Sequence, residues 1–120
     1  MVAVADTIQN EHDPSSGTFS SSNRSLLNEL VAKYGISDPT QNPTSQNSPA
    51  EADYRYVAGT MFWVRAEPLA AFFKKYAPLD IRRTLEKGNV MDENRGSNAH
   101  AWERMLSWLI FAQNFNIKGL

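Results

Sequence analysis

RYVAGTMFWVRAEPLAAFF, residues 55–73, is the stretch on which the reading of this chain turns. Its first part, with Tyr54, predicts a β-strand over residues 54–65, rich in Tyr, Val, Thr, Phe and Trp. Tyr56, Ala58, Phe62 and Val64 fall on one alternating set, and Val57, Met61 and Trp63 on the other. Apolar residues on both sets predict a strand covered on both faces, as in the middle of an α/β sheet. Gly59 interrupts this run. A glycine inside a strand weakens it, so it marks either a bulge or a close approach by a ligand or another backbone. Both occur at the sugar-facing edge of a sheet, where Thr60 offers a hydroxyl and Trp63 a flat ring that can stack on the C–H face of a sugar. The alternative is a packing glycine, with Trp63 in the core.

Outward from this strand the chain reads as a series of helices. EPLAAFFKKYAP (67–78) places Leu69, Phe72, Phe73 and Tyr76 on one helical stripe, with Pro68 in the first turn and Pro78 as the stop. LDIRRTLEKGNV (79–90) predicts a short helix capped by Asp80 and stopped at Gly88. VMDENRGSN (90–98) is a polar turn, NAHAWERMLSWLIFAQNF (98–115) the strongest helix, and NIKGL (116–120) the opening of a last short strand. On the N-terminal side, residues 1–53 are polar and rich in Ser, Asn, Pro and Thr, with loops at 15–23 and 38–53. One helix interrupts them at about 23–35: Leu26, Leu27, Leu30 and Val31 share a face, Ser22 or Asn23 caps it, and Gly35 ends it. The expected fold is therefore α/β, a small sheet with helices packed on it, with residues 54–120 as the core segment.

The totals restrict function. A chain of 120 residues fits one domain. A net charge of -1, mixed in sign along the sequence, does not argue for nucleic acid, whose binders normally show a basic face or stripe. Without cysteine there is neither a disulfide framework nor a thiolate metal site. MVAVADTIQNEHD lacks the basic and long apolar regions of a secretory signal, and no run is long enough to span a bilayer. The expected location is the cytoplasm or the periphery of a membrane.

The last helix has two sides. Trp102, Met105, Leu106 and Leu109 gather on one, with Trp108 and Ile110 on its flanks. His100, Glu103, Arg104 and Ser107 follow the spacing i, i+3, i+4, i+7 on the other, so their side chains can touch. Such a ridge is either a solvated face with a helical ion pair, or the wall of a cleft in which His100 and Glu103 do acid–base or binding work. Asp92 and Glu93 are a carboxylate pair in the preceding turn, either a polar loop tip or part of the same chemistry. H-A-W-E-R is not the H-E-x-x-H of a zinc protease, and the only other histidine is His12. No G-x-G-x-x-G, no G-x-x-x-x-G-K-[ST] and no G-x-S-x-G occurs.

YVAGTMFWVRAEPL, followed some thirty residues later by GSNAHAWERMLSWLI, resembles the end of the rhamnan synthesis protein F family. Ala58, Gly59, Thr60, Met61, Phe62, Trp63 and Arg65 match the family's strand motif. Gly96, His100, Ala101, Glu103 and Arg104 match its helix motif, with Ser97 in place of a threonine. The family is tied to bacterial cell-surface polysaccharide assembly, and its members are regarded as glycosyltransferases or related proteins. The resemblance implies the acceptor-side half of a GT-A-type enzyme. Gly59, Thr60, Trp63, Arg65 and Arg104 would meet substrate, and His100, Glu103, Asp92 or Glu93 would supply the acid–base group. Arg95 stands where the family often has an acid, and no D-x-D metal motif is present. No cofactor is expected of these residues themselves. A complete enzyme would use a nucleotide sugar, with or without a divalent metal, supplied through a further N-terminal catalytic half, and a sugar or glycan acceptor.

Three functions are compatible with these residues. The chain is a fragment or reduced relative of such a glycosyltransferase, a non-catalytic carbohydrate-binding or assembly module, or a helical interaction domain without a ligand.

Overall fold

A computed structural model describes residues 1–13, 15, 18–19, 21–37, 55–88, 90–92 and 96–120. The loop expected over 38–53, Tyr54, Glu93 and Arg95 lie outside them. The described residues form small mixed sheets and four helices, an α/β arrangement.

The expected strand at 54–65 is broken at its glycine. β5 (Arg55–Val57) and β6 (Phe62–Trp63) are separated by a 3-10 turn at Ala58–Thr60. Their partners come from the N-terminus: β1 (Val2–Ala3) and β2 (Ile8–Asn10), separated by a 3-10 turn at Ala5–Thr7. Val2 faces Trp63 and Ala3 faces Phe62; six residues on, Ile8 faces Val57, Gln9 faces Tyr56 and Asn10 faces Arg55. The antiparallel register is thus the same on both sides of the break. The two segments make one interrupted ladder, and the two turns, each of three residues, keep it in step. β3 (His12–Asp13) and β4 (Thr18–Phe19) form a separate hairpin-like pair. β7 (Lys118–Gly119), near the last strand expected from NIKGL, adds in parallel to the other edge of β1.

The motif strand is therefore not central. β1 lies between β6 and β7, and β6 is an edge. Nor is it covered on both faces, since Met61 and Trp63 are exposed. The apolar alternation misled because an edge residue beside a turn meets no neighbouring layer, whatever its side chain.

α1 (Arg24–Tyr34) ends at Gly35 with φ 60°, the left-handed stop that the sequence predicts. α2 (Ala66–Lys75) buries Phe72 and half-buries Leu69 and Phe73, with Tyr76 just beyond its end. α3 (Pro78–Thr84) starts at its proline, and Asp80 is not its cap: it lies in the first turn and pairs with Arg83 at 2.5 Å. α4 (Asn98–Phe111) is the centre of the fold. α1 and α2 pack against it from one side and β5 lies on another. Tyr34 meets Trp102, Phe72 and Tyr76 edge-on at centroid distances of 5.3, 5.6 and 4.8 Å. Such contacts contribute about 0.5–1.5 kcal/mol each beyond burial itself, so they fix how α1, α2 and α4 cross.

Candidate functional site

Arg104 and Ser107 of the polar ridge of α4 are buried against the protein, away from bulk water. Among the described residues β5 has a strand neighbour on one edge only, so alternate backbone N–H groups on its other edge need acceptors. The ridge supplies them. Val57 donates its amide to Ser107 Oγ at 3.1 Å, and Gly59 donates to Glu103 Oε1 at 2.5 Å. Ser107 and Glu103 lie four residues apart, about 6 Å along the helix axis, and reach Val57 at the end of β5 and Gly59 in the turn that follows, with chain and helix running in opposite directions.

Gly59 is required for its backbone, not for space. Its φ is 75°, and an added Cβ would find nothing closer than the Met61 methyl at 4.0 Å. Gly59 is therefore a turn residue in open surroundings and not a packing glycine. Thr60 follows at φ 53°, a conformation rare for a β-branched residue, and its hydroxyl donates to the Gly59 carbonyl at 2.8 Å.

Arg104 is 7% exposed. Its Nε donates to Glu11 Oε2 at 2.8 Å, and Nη2 bonds to Glu11 Oε1 and to the Tyr56 hydroxyl. Nη1 reaches the His100 carbonyl at 2.9 Å and stands 3.6 Å from Glu103 Oε2. The guanidinium also lies over the Tyr56 ring, 4.3 Å from its centroid. Burial works against this charge, but the hydrogen bonds and charge of Glu11 outweigh it and raise the guanidinium above its ordinary value. Burial also pushes the Tyr56 phenol up. Arg104 is thus bound into the protein rather than presented to a ligand. The solvated-face reading of the ridge fails for Arg104 and Ser107 because β5 and Glu11 cover them.

His100, one turn earlier, is the member of the ridge that reaches the surface. Its Nδ1 lies 2.7 Å from Asp92 Oδ1, and its side chain is 37% exposed. Asp92 is held from several directions. Ser97 Oγ donates to Oδ1 at 3.0 Å, while Asn23 Nδ2 and Ser22 Oγ donate to Oδ2 at 2.9 and 3.3 Å. Burial opposes ionisation of Asp92. The hydrogen bonds from His100, Asn23 and Ser97, with the charge of His100, outweigh it and hold the carboxyl at about 2. An ionised carboxylate can only accept, so His100 donates through Nδ1–H. In the neutral ring Nε2 then carries the lone pair.

The turn before α4 is built to place this pair. Asn23 is not a side-chain cap of α1. It is 0% exposed and bridges Asp92 to the Ser97 amide, which donates to its Oδ1 at 2.9 Å. Gly96 permits that bridge: a Cβ there would lie 2.2 Å from Asn23 Oδ1. Ser97 caps α4 by accepting from the His100 amide at 3.2 Å. Glu86 accepts from the Asn98 and Ala99 amides at 2.8 and 2.9 Å. Burial opposes its charge, but these two amides outweigh it and hold Glu86 below its ordinary value.

The expected site residues therefore fall into two groups. Asp92, His100, Glu103, Arg104, Gly59 and Thr60 are linked around the N-terminal half of α4. Trp63 and Arg65 line a separate groove of about 340 Å³ with Val2, Pro68, Ile110 and Phe115, and none of the first group contributes to it. Trp63 is 75% exposed and so is not a core residue. Glu11, Asn23, Tyr56 and Ser97 are not among the site residues that the sequence suggests: it offers Asn23 as a helix cap, Tyr56 as a strand residue and Ser97 as a motif position. Only the general need of a buried arginine for a carboxylate pointed to Glu11, and nothing in the spacing said which one, 93 residues away. Among the described residues no three His, Cys, Asp or Glu side chains come together in a group that could hold a metal ion. No described helix is long and apolar enough to cross a membrane. No family model, curated protein or solved structure matches the chain.

Proposed function

We propose that this chain is a fragment or reduced relative of a glycosyltransferase acting in cell-surface polysaccharide synthesis of the rhamnan type, and that it forms the acceptor side of a GT-A-like enzyme in the cytoplasm. The carrying observation is the 2.7 Å contact between His100 Nδ1 and Asp92 Oδ1. It supports His100 as a general base: the carboxylate orients the ring and stabilises the imidazolium that forms on proton uptake. An acceptor sugar hydroxyl gives its proton to Nε2 while its oxygen attacks the anomeric carbon of a nucleotide sugar. The bond from that carbon to the phosphate oxygen breaks, and the nucleoside diphosphate leaves with the electron pair. Glu103 does not serve as the base in this scheme. It holds the Gly59 amide, and with it the Gly59–Thr60 turn, as a positioning residue. The carboxylates near His100 are taken up by hydrogen bonds, so any divalent ion would be held by groups other than these.

The test is a panel of nucleotide sugars with Mn²⁺ or Mg²⁺, read by hydrolysis and thermal shift. A response that is lost in His100→Ala and kept in Glu103→Gln supports the proposal. Glycan binding without any nucleotide-sugar response overturns it.

A specific observation favours a second reading, a non-catalytic carbohydrate-binding module. Trp63 stands exposed beside a groove that His100 does not line. In that case Trp63→Ala abolishes glycan binding, while His100→Ala leaves it unchanged.

A further inference from the structure

The positive charge of this chain is unevenly placed. Residues 74–87 carry Lys74, Lys75, Arg82, Arg83 and Lys87 against Asp80 and Glu86, five cations and two anions, within a chain of net charge -1. Both anions are occupied: Asp80 by Arg83 at 2.5 Å, and Glu86 by the start of α4. Lys74, Arg82 and Lys87 have no ion pair among the described residues. Within this cluster Leu79 is 67% exposed. Leu79, Arg82, Arg83, Leu85 and Lys87 line one open groove of about 680 Å³. Five of these cations lie on α2, α3 and the turn that follows, and all five are exposed.

We infer that this surface docks on an anionic lipid bilayer, with Leu79 entering the headgroup region and Lys74, Lys75, Arg82 and Lys87 meeting lipid phosphates and carboxylates. A small soluble anion calls for donors that converge on one point. Here Arg82, Arg83 and Lys87 line an open groove with the exposed Leu79, and Lys74 and Lys75 lie at the end of the preceding helix, which suits a broad negative surface with an apolar interior. The rest of the chain carries the opposite net charge, so the attraction also orients the molecule. Glu86 lines the same groove and accepts from the first amides of α4, so docking brings the His100 end of that helix close to the bilayer. The inference does not depend on a sugar substrate, because it concerns only where the surface binds.

Co-sedimentation with phosphatidylcholine vesicles containing about 30% phosphatidylserine tests it, against vesicles of phosphatidylcholine alone. The wild-type chain should sediment with the anionic vesicles only and be released as salt rises. Arg82→Gln/Lys87→Gln should bind about tenfold or more weakly, since each lost cation removes a headgroup contact. Leu79→Ser should bind several-fold more weakly. All these side chains are exposed, so the variants should melt with the wild type, which separates loss of docking from loss of fold. Lys118→Gln, on β7, should bind as the wild type does. The inference is overturned if the wild type ignores anionic vesicles, or binds neutral ones equally. It also fails if Lys118→Gln loses as much as the double variant, or if inorganic diphosphate at constant ionic strength strips the protein from vesicles by binding the groove itself.

Discussion

Glu103 accepts the amide of Gly59 across 2.5 Å, joining the middle of α4 to the turn that interrupts the motif strand. One carboxylate thus closes the break in the ladder at the point where no strand neighbour can. The glycine and the ridge are two sides of one interface.

Gly59→Ala should destabilise the chain by about 1–2 kcal/mol, the cost of holding an L-residue in the left-handed region. With open space around the position, the penalty comes from the backbone alone. Gly59→Asn should recover part of it, because asparagine tolerates this conformation better. Urea denaturation of the two variants measures the difference, and equal stabilities would contradict it.

Ser107→Ala removes the acceptor of the Val57 amide, a group buried between strand and helix. An unsatisfied buried N–H costs about 1–3 kcal/mol. The expected result is a loss in that range, with faster hydrogen exchange at Val57 than at other β5 amides. Unchanged exchange there would show that the strand edge finds another acceptor.

Arg104 and Glu11 form a pair that should be coupled. Arg104→Met or Glu11→Leu alone should cost about 3–5 kcal/mol, since each leaves a buried partner uncompensated. Arg104→Met combined with Glu11→Leu should cost much less than the two losses added together. A double-mutant cycle read by chemical denaturation gives the coupling. Strict additivity would mean that the contact is not formed in solution.

Asp92 links stability to pH. Its carboxyl is held at about 2 in the folded chain against 3.8 for the free side chain. A depressed folded value means that the unfolded chain binds the proton more readily. The stabilisation is therefore fully present above about pH 4 and is lost as pH falls through 2. With solvent screening of this partly exposed group discounted, the contribution is about 1 kcal/mol. Wild type minus Asp92→Asn, followed by denaturation between these pH values, should converge as pH falls. A constant difference would refute the linkage.

Much of the architecture was legible in the sequence because it is local. The helical spacing of Leu26, Leu27, Leu30 and Val31, of Leu69, Phe72, Phe73 and Tyr76, and of Trp102, Met105 and Leu109 marks helices whose apolar faces must be buried. Gly35 stops α1 for reasons contained in a single residue's backbone, whereas Gly59 signals an irregularity in its strand without saying that the strand breaks there. That His100, Glu103, Arg104 and Ser107 share one face also follows from helical geometry. Tertiary structure alone decided what that ridge touches. Glu11 against Arg104, Asn23 beneath Gly96, Asp92 against His100 and the N-terminal strands beside residues 55–63 are pairings that no repeat period encodes. A buried polar group requires a partner but does not specify which one. The choice is made by how the chain closes, which leaves Trp63 exposed at an edge and makes Asp92 the group that orients His100.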